Sequence, residues 1–246
     1  MINTIIGILI PFLGTSLGSL MVYFIKTSKS KKTNVILYGL SSGIMLSSSI
    51  WSLIVPSLTN SNSYYFYLPC IIGYVFGILF LIFIDVISAR ISKFKMNRVN
   101  KMLMAVTIHN IPEGMAVGVM FSSILYAYGN ITLSSAFILS IGIAIQNIPE
   151  GAVVSLPLHN SNNSTNKSFL CGVLSGAIEP VFALITIIFI NKVRFLFPYL
   201  LAFAAGAMIY VVFFELIPET KDDKKCGIVS FIIGFVFMMM LDIFLG

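Results

Sequence analysis

Charged residues are scarce in this sequence. Only 10% of its 246 residues are Asp, Glu, Lys or Arg, whereas about a quarter of the residues in soluble domains are charged. Hydrophobic residues make up 58%, and the mean hydropathy is +0.99. This composition excludes an ordinary soluble domain and indicates a protein that crosses a membrane several times.

Paired cysteines are missing as well. Cys70, Cys171 and Cys226 are far apart and form no CxxC motif, so we expect neither a disulfide framework nor a thiolate metal site. A membrane-spanning helix needs about 20 apolar residues. The chain therefore has room for eight helices with short loops but not for a separate soluble domain, and we expect residues 1–246 to form a single transmembrane domain.

The apolar segments and the basic residues together predict the topology. We predict spans at about 2–25, 34–58, 64–90, 102–128, 132–158, 168–190, 195–217 and 226–245. The fifteen Lys and Arg residues lie at span ends or in loops, and only Lys192 and Arg194 lie on the side opposite to the others. The positive-inside rule places the richer side in the cytoplasm and both termini outside it. The net charge of +6 is thus explained by topology, and we expect no nucleic-acid partner.

Acidic residues, in contrast, occur inside the predicted spans. A charged group at the membrane centre costs about 2.5–3.5 kcal/mol on insertion scales, and no basic residue lies at that depth to pair with them. They are therefore either protonated or neutralised by a cation. Their order across the membrane suggests a route for a cation. Asp242 lies near the outer side, Glu113, Glu150 and Glu179 lie toward the middle, and Asp85 and Glu215 lie near the inner side.

A six-residue pattern occurs twice in the central spans. Span 4 contains the sequence HNIPEG from His109, and span 5 contains QNIPEG from Gln146. The first and fifth positions lie on one helix face, so both side chains can bind one ion. The proline removes a backbone hydrogen bond and favours a kink. Polar, interrupted helices of this kind are typical of intramembrane ion sites.

The ligand types indicate a transition metal. Imidazole suits zinc, iron, copper and nickel, and carboxylates and amides add harder oxygen ligands. Taken singly, a proline is usually a kink, His109 a core histidine and an amide a contact between helices. The repetition of the pattern on adjacent spans favours the metal site, where Glu113 and Glu150 are placed to bridge two ions. His159, at the cytoplasmic end of span 5, is expected to lie at the surface.

These motifs resemble those of the ZIP (Zrt/Irt-like) metal transporters, and in particular their bacterial GufA-like branch. The sequence SGAIEP from Ser175 resembles the span 6 motif, and ELIPE from Glu215 resembles the end of span 7. The sequence GIML from Gly43, leading to Ser52, resembles span 2. The resemblance implies an all-α membrane protein with eight transmembrane helices, arranged 3+2+3 as inverted repeats around spans 4 and 5, and with both termini extracytoplasmic.

The resemblance also implies the roles of individual residues. One metal site would comprise His109, Glu113, Gln146 and Glu150. A second site would comprise Asn110, Glu113, Asn147, Glu150 and Glu179. Met45, Ser52 and Asp242 would lie on the path from outside and Glu215 on the path to the cytoplasm, where Asp85 also lies. No cofactor is expected, because Zn²⁺, or Cd²⁺, Fe²⁺ or Mn²⁺, would be the transported substrate.

Three features depart from the family pattern. The stretch from Arg90 to Lys101 is short and lacks the histidines that many relatives have there. Phe214 replaces a second polar ligand beside Glu215, and Gln146 replaces a histidine, which favours a site less exclusive for zinc. One further feature agrees with inverted repeats: the sequence GIM from Gly43 echoes GAM from Gly206, and Leu-Ile follows each at the same distance.

The sequence therefore favours a multi-pass transporter for uptake of divalent metals, zinc first, in the cell membrane, specifically a bacterial inner membrane. Its partners would be the metal ion and the lipid bilayer, and a homodimer is an assembly that the sequence leaves open. The alternative is an enzyme, an intramembrane metal-dependent protease or hydrolase. We do not expect an enzyme, because the HExxH motif of membrane proteases is missing. A passive channel and a membrane receptor are weaker alternatives.

Overall fold

The computed structural model describes residues 1–24, 31–60, 67–92, 98–127, 130–160, 163–190 and 194–245. The side chain of His109 lies outside the described part, as do the loop residues Lys26, Lys29, Lys93, Lys95 and Lys192. The backbone of the described residues is almost entirely helical and contains no strand. The predicted all-α class is therefore confirmed.

Ten α-helices follow one another along the described ranges. They are α1 (Ile2–Leu20), α2 (Lys31–Ser48), α3 (Val55–Thr59), α4 (Tyr67–Ser92), α5 (Arg98–Tyr126), α6 (Leu133–Asn160), α7 (Thr165–Gly176), α8 (Ile178–Ile190), α9 (Phe197–Val211) and α10 (Lys224–Leu245). Short 3₁₀ segments lie at Met21–Tyr23, Arg194–Leu196 and Ile217–Asp223.

Six helical stretches are long and apolar enough to cross a membrane, within the residues that the structure describes. The last of them, Phe197–Leu245, contains two α-helices, α9 and α10, joined by π and 3₁₀ turns. Helix α5, which carries the first repeated motif, is not among the six. The fold is thus that of a multi-pass helical membrane protein.

Four pairs of helices approach each other closely at glycines. Helix α1 packs on α6, α2 on α10, α4 on α9 and α5 on α8. The first helix of each pair has two glycines four residues apart, and a Cβ added at any of them would lie 2.5 Å or less from a backbone carbonyl oxygen of the partner. Such small-residue pairs let membrane helices pack backbone to backbone. The glycines are Gly14 and Gly18, Gly39 and Gly43, Gly73 and Gly77, and Gly114 and Gly118.

Two helices continue into π-helical segments. Ser49–Ile54 follows α2, and Val212–Leu216 follows α9. Gly43 and Gly206 are the first residues of the two similar sequences GIM and GAM. Each π segment begins six residues after its glycine. The first segment contains Ser52 and the second Glu215, so both carry a side chain that the sequence places on the metal path. Such π segments are frequent at functional sites.

Predicted span 6 is interrupted. It consists of α7 and α8, which meet at Ala177. Pro180 has no N–H with which to continue the backbone hydrogen bonds to Gly176, which favours a break in the helix at this position. The interruption puts Glu179 in the first turn of α8. Discontinuous helices of this kind commonly form ion sites in transporters.

Candidate metal centre

Helices α5 and α6 bring the two repeated motifs together in the centre of the bundle. The two helices contact each other, and both continue through the prolines of the motifs. The polar side chains of the motifs are buried, with at most 7% of each exposed; they are those of Asn110, Glu113, Gln146, Asn147 and Glu150. Glu179 of α8 is 1% exposed. The structure therefore buries together six of the seven predicted ligands, and the side chain of the seventh, His109, lies outside the described part.

A hydrogen bond joins the two motifs directly. The Gln146 amide Nε2 donates to Oε1 of Glu113 at 2.9 Å. The other oxygens of this pair, Glu113 Oε2 and Gln146 Oε1, are buried and have no hydrogen-bond partner among the described residues. In addition, the Ser41 hydroxyl of α2 donates to the Gln146 backbone carbonyl at 3.2 Å. The pair thus has a defined orientation in which one oxygen of each side chain remains open.

Glu179 is held in the same manner by α1. The Thr15 hydroxyl donates to Oε1 of Glu179 at 2.9 Å, and Oε2 has no partner among the residues described. The Glu179 carbonyl oxygen lies 2.3 Å from the position of a Cβ added to Gly114. Because Gly114 directly follows Glu113 in the chain, this close approach brings the two carboxylate-bearing segments together.

The two asparagines complete the buried polar cluster. Asn110 Nδ2 donates to the Ser175 carbonyl at 3.0 Å, which leaves Asn110 Oδ1 without a partner in the described part of the chain. Asn147 lies beside the carboxyl groups of Glu113 and Glu179, but its amide makes no hydrogen bond of acceptable geometry to a described residue. Amide and carboxylate oxygens are ligands for divalent cations.

The carboxylates of Glu113, Glu150 and Glu179 are close enough for their charges to interact. Among the described side chains, however, no group of three or more His, Cys, Asp or Glu is arranged as a metal site. The oxygens that lie beside these carboxylates are those of the Asn110, Gln146 and Asn147 amides.

Ser52 and Asp242 meet on one side of the bundle. The Ser52 hydroxyl donates to Oδ1 of Asp242 at 2.6 Å, and Oδ2 has no partner among the described residues. Both line a pocket of about 270 Å³, together with Trp51, Asn130 and Thr132. Met45, also predicted on this path, is instead buried in the hydrophobic core. The structure therefore pairs two of the three residues predicted on the outer path.

Asp85 and Glu215 both lie near Tyr210. The Tyr210 hydroxyl donates to Oδ2 of Asp85 at 2.6 Å. Glu215 is close enough to interact with both Tyr210 and Glu150 through its charge. Phe214 stacks on the Tyr210 ring with centroids 4.5 Å apart. Glu215 thus lies between the central cluster and the Asp85–Tyr210 pair.

Two other predictions concern residues outside this cluster. His159 is partly buried, and its Nδ1 lies 3.2 Å from the Asn163 carbonyl, so it binds the helix end locally. All three cysteines are free, as their spacing predicted.

Three buried polar residues that hydrogen-bond to predicted ligands or path residues were not identified from the sequence. They are Thr15, Ser41 and Tyr210. A threonine, a serine or a tyrosine in an apolar helix gives no signal of its own. For Thr15 one signal exists, because it lies between the paired glycines Gly14 and Gly18 and therefore faces a close helix contact.

The fold and this polar cluster define a multi-pass membrane protein with a buried site rich in carboxylates and amides. Residues 95–242 match the family described as ZIP Zinc transporter. The chain is 31% identical over 96% of its length to the zinc transporter ZIPB of Bordetella bronchiseptica and covers 79% of that protein. The chain belongs to the ZIP zinc transporter family.

Other relatives match a shorter part. The zinc transporter ZIP11 of Xenopus tropicalis is 42% identical over 61% of this chain, and the aligned part is 45% of that protein. The zinc transporter GufA of Myxococcus xanthus is 35% identical over 62% of this chain and is covered over 58% of its own length. The chain thus spans less than half the length of the frog relative. The names of these relatives are those of transporters rather than of enzymes.

Proposed function

We propose that this protein transports a divalent transition-metal cation, zinc first, across the membrane toward the cytoplasm. One observation carries the proposal. Five buried oxygens at the centre of the bundle have no hydrogen-bond partner among the described residues; they are Asn110 Oδ1, Glu113 Oε2, Gln146 Oε1, Asn147 Oδ1 and Glu179 Oε2. A buried polar atom without a partner costs about 1–3 kcal/mol. A bound cation would remove that cost and balance the carboxylate charges.

The ligands divide into two neighbouring sites. The first is formed by His109, Glu113, Gln146 and Glu150. The second is formed by Asn110, Glu113, Asn147, Glu150 and Glu179. Glu113 and Glu150 belong to both, so they bridge the two ions. The hydrogen bond from Gln146 to Glu113 supports this arrangement, because it holds one residue of each motif in register. The mixed oxygen and imidazole set also admits Cd²⁺, Fe²⁺ or Mn²⁺.

The path on either side follows the remaining polar residues. Ser52 and Asp242 receive the ion from outside, where their pocket is lined by hydroxyls and amides. Glu215 and Asp85 pass it toward the cytoplasm. The π-helical segments that contain Ser52 and Glu215 support this assignment, since a π turn changes the direction of side chains along a helix.

We further infer eight membrane spans, in the inner membrane of a bacterium, with both termini outside the cytoplasm. Six stretches meet the criteria of length and hydropathy. Counting α9 and α10 separately and adding α5 gives eight. The charge distribution between the loops supports the orientation. The homodimer stays a prediction from the sequence.

Uptake of zinc into proteoliposomes tests the function. Purified protein should accumulate zinc above protein-free liposomes, and cadmium, iron or manganese added in excess should compete with it. Equal accumulation in both preparations, with the protein shown to be inserted, would contradict the proposal. An enzyme is disfavoured by the names of the relatives, and no observation on the site favours hydrolysis.

A further inference from the structure

Helix α1 contributes none of the predicted ligands, yet one of its side chains reaches the metal centre. Thr15 is fully buried, and its hydroxyl donates to Oε1 of Glu179 at 2.9 Å. A threonine hydroxyl has a single proton to donate. In a helix it commonly returns that proton to a carbonyl of the preceding turn, whereas here the partner is a carboxylate 164 residues away in sequence.

Thr15 is held in place by close contacts with two other helices. A Cβ added to Gly176, at the end of α7, would lie 2.6 Å from Cβ of Thr15. A Cβ added to Gly151, next to Glu150 on α6, would lie 2.1 Å from the Thr15 carbonyl oxygen. Thr15 therefore lies where the segments that carry Glu150 and Glu179 both pack on α1, and its hydroxyl has little freedom to turn away.

The two carboxylate oxygens of Glu179 differ in their hydrogen bonding. Oε1 accepts from Thr15, while Oε2 is buried without a partner among the described residues. We propose that Thr15 is a positioning residue of the metal centre: it occupies Oε1 so that Glu179 offers a single oxygen, Oε2, to a divalent cation in the second site. This inference rests on the proposed function and adds to it a residue on α1.

The proposal makes a quantitative statement about one of the two ions. A hydrogen bond to a charged group corresponds to roughly 10- to 100-fold in an equilibrium constant. Without the hydroxyl, Glu179 is no longer held in one orientation, so ordering its carboxylate around the ion costs free energy on binding. Binding of the second ion should therefore weaken by about that factor, whereas the first site, which does not include Glu179, should change little.

Four variants of the full-length protein in detergent test the proposal. Thr15→Val and Thr15→Ala both remove the hydroxyl. Valine has nearly the same volume as threonine, and alanine is smaller. Thr15→Ser keeps the hydroxyl. Thr4→Val is the matched control, since Thr4 is buried on the same helix. Melting temperatures identify any variant that does not fold, and zinc is titrated by calorimetry.

Thr15→Val and Thr15→Ala should bind the second zinc ion with lower affinity. Thr15→Ser and Thr4→Val should bind it with nearly normal affinity. Infrared spectra of the zinc-bound protein should show the carboxylate stretches moving toward the two-oxygen binding pattern only when the hydroxyl is absent. In a Glu179→Gln background, which should bind only the first ion, Thr15→Val should leave the affinity for that ion unchanged.

Two outcomes overturn the proposal alone. One is normal binding of the second ion without the hydroxyl. The other is a loss of affinity for the first ion as large as that for the second, which would mean that Thr15 serves only packing. A wild-type protein that binds no zinc would overturn the proposed function, and this proposal with it.

Discussion

Three polar side chains at the centre of the bundle use one atom to contact a neighbour and leave an oxygen open. Gln146 binds Glu113, Asn110 binds the Ser175 carbonyl, and Glu179 accepts from Thr15. Each contact selects one orientation of an amide or a carboxylate. If these oxygens are the proposed ligands, their fixed orientation would reduce the cost of ordering them when an ion binds.

Glu179 supplies a ligand to only one of the two proposed sites. A Glu179→Gln variant, which keeps the size of the side chain, should therefore still bind one zinc ion per chain. Native mass spectrometry or calorimetry on the purified protein gives the stoichiometry. Complete loss of binding would show that Glu179 is needed for both ions, contrary to the division proposed.

At this scale the sequence indicates the candidate ligands more readily than the residues that hydrogen-bond to them. Buried acids and a repeated HNIPEG-like pattern are chemically unusual in a membrane span, so they are visible without a structure. Thr15, Ser41 and Tyr210 are not, because their roles depend on which distant helix they face. Met45, which the resemblance places on the path, is buried in the hydrophobic core, and its role stays a prediction.

At the scale of helices, paired glycines determine which elements touch. Gly114 and Gly118 bring α5 against α8, and the Gly114 contact is with the carbonyl of Glu179 itself. The same spacing brings α1 against α6. Each of these helix contacts also positions a segment of the metal centre, so the close packing and the site depend on the same few residues.

Gly114→Ala should destabilise the protein and weaken metal binding. The new Cβ would lie 2.3 Å from the Glu179 carbonyl oxygen, and overpacking of a tight contact costs about 1–3 kcal/mol. Gly142→Ala is the control, because its Cβ would meet the flexible end of Met238 at 2.6 Å, which can move aside. Melting temperatures in detergent should fall clearly for the first variant only. Equal melting temperatures for both variants would show that the α5–α8 contact at Gly114 does not stabilise the protein.

The helices themselves were predicted within a few residues, but their irregularities were not. Pro180 carries a visible signal for the interruption of span 6. The π segments at Ser49–Ile54 and Val212–Leu216 have no such signal, because they depend on packing rather than on residue type. The echo between the sequences at Gly43 and Gly206 is nevertheless matched by π segments at equivalent positions, which is consistent with two related halves.

At the scale of the whole molecule, composition and charge distribution indicate a membrane protein with its basic loops on one side. These are averages over many residues and do not depend on individual contacts. The family membership follows from similarity over nearly the whole chain. The mutual placement of the polar groups required the structure, because side chains from α1, α5, α6 and α8 meet only when the bundle is assembled.

Metal binding by the assembled protein should weaken as the pH falls from about 7 to about 5. Histidine and glutamate coordinate metals only when deprotonated, so protons compete with the ion. Their ordinary pKa values are about 6.5 and about 4.3. His109→Gln should bind more weakly at pH 7 and move the acidic limit of binding to lower pH.

Calorimetry at several pH values, each in two buffers of different ionisation enthalpy, measures this competition. A difference in apparent binding enthalpy between the buffers shows that protons are exchanged with the buffer when the metal enters. An identical enthalpy in both buffers would mean that no net protons are displaced. An unchanged pH profile in His109→Gln would mean that His109 is not a ligand.

We propose that the transported ion passes between Glu113 and Glu150, and zinc flux through variants of these two residues tests this proposal. Glu113→Ala and Glu150→Ala should each reduce zinc uptake into proteoliposomes to the level of protein-free liposomes, because each residue belongs to both sites. Glu219→Ala, which changes an exposed glutamate, should transport normally. Near-wild-type flux in either bridging variant, at equal insertion into the liposomes, would contradict the account.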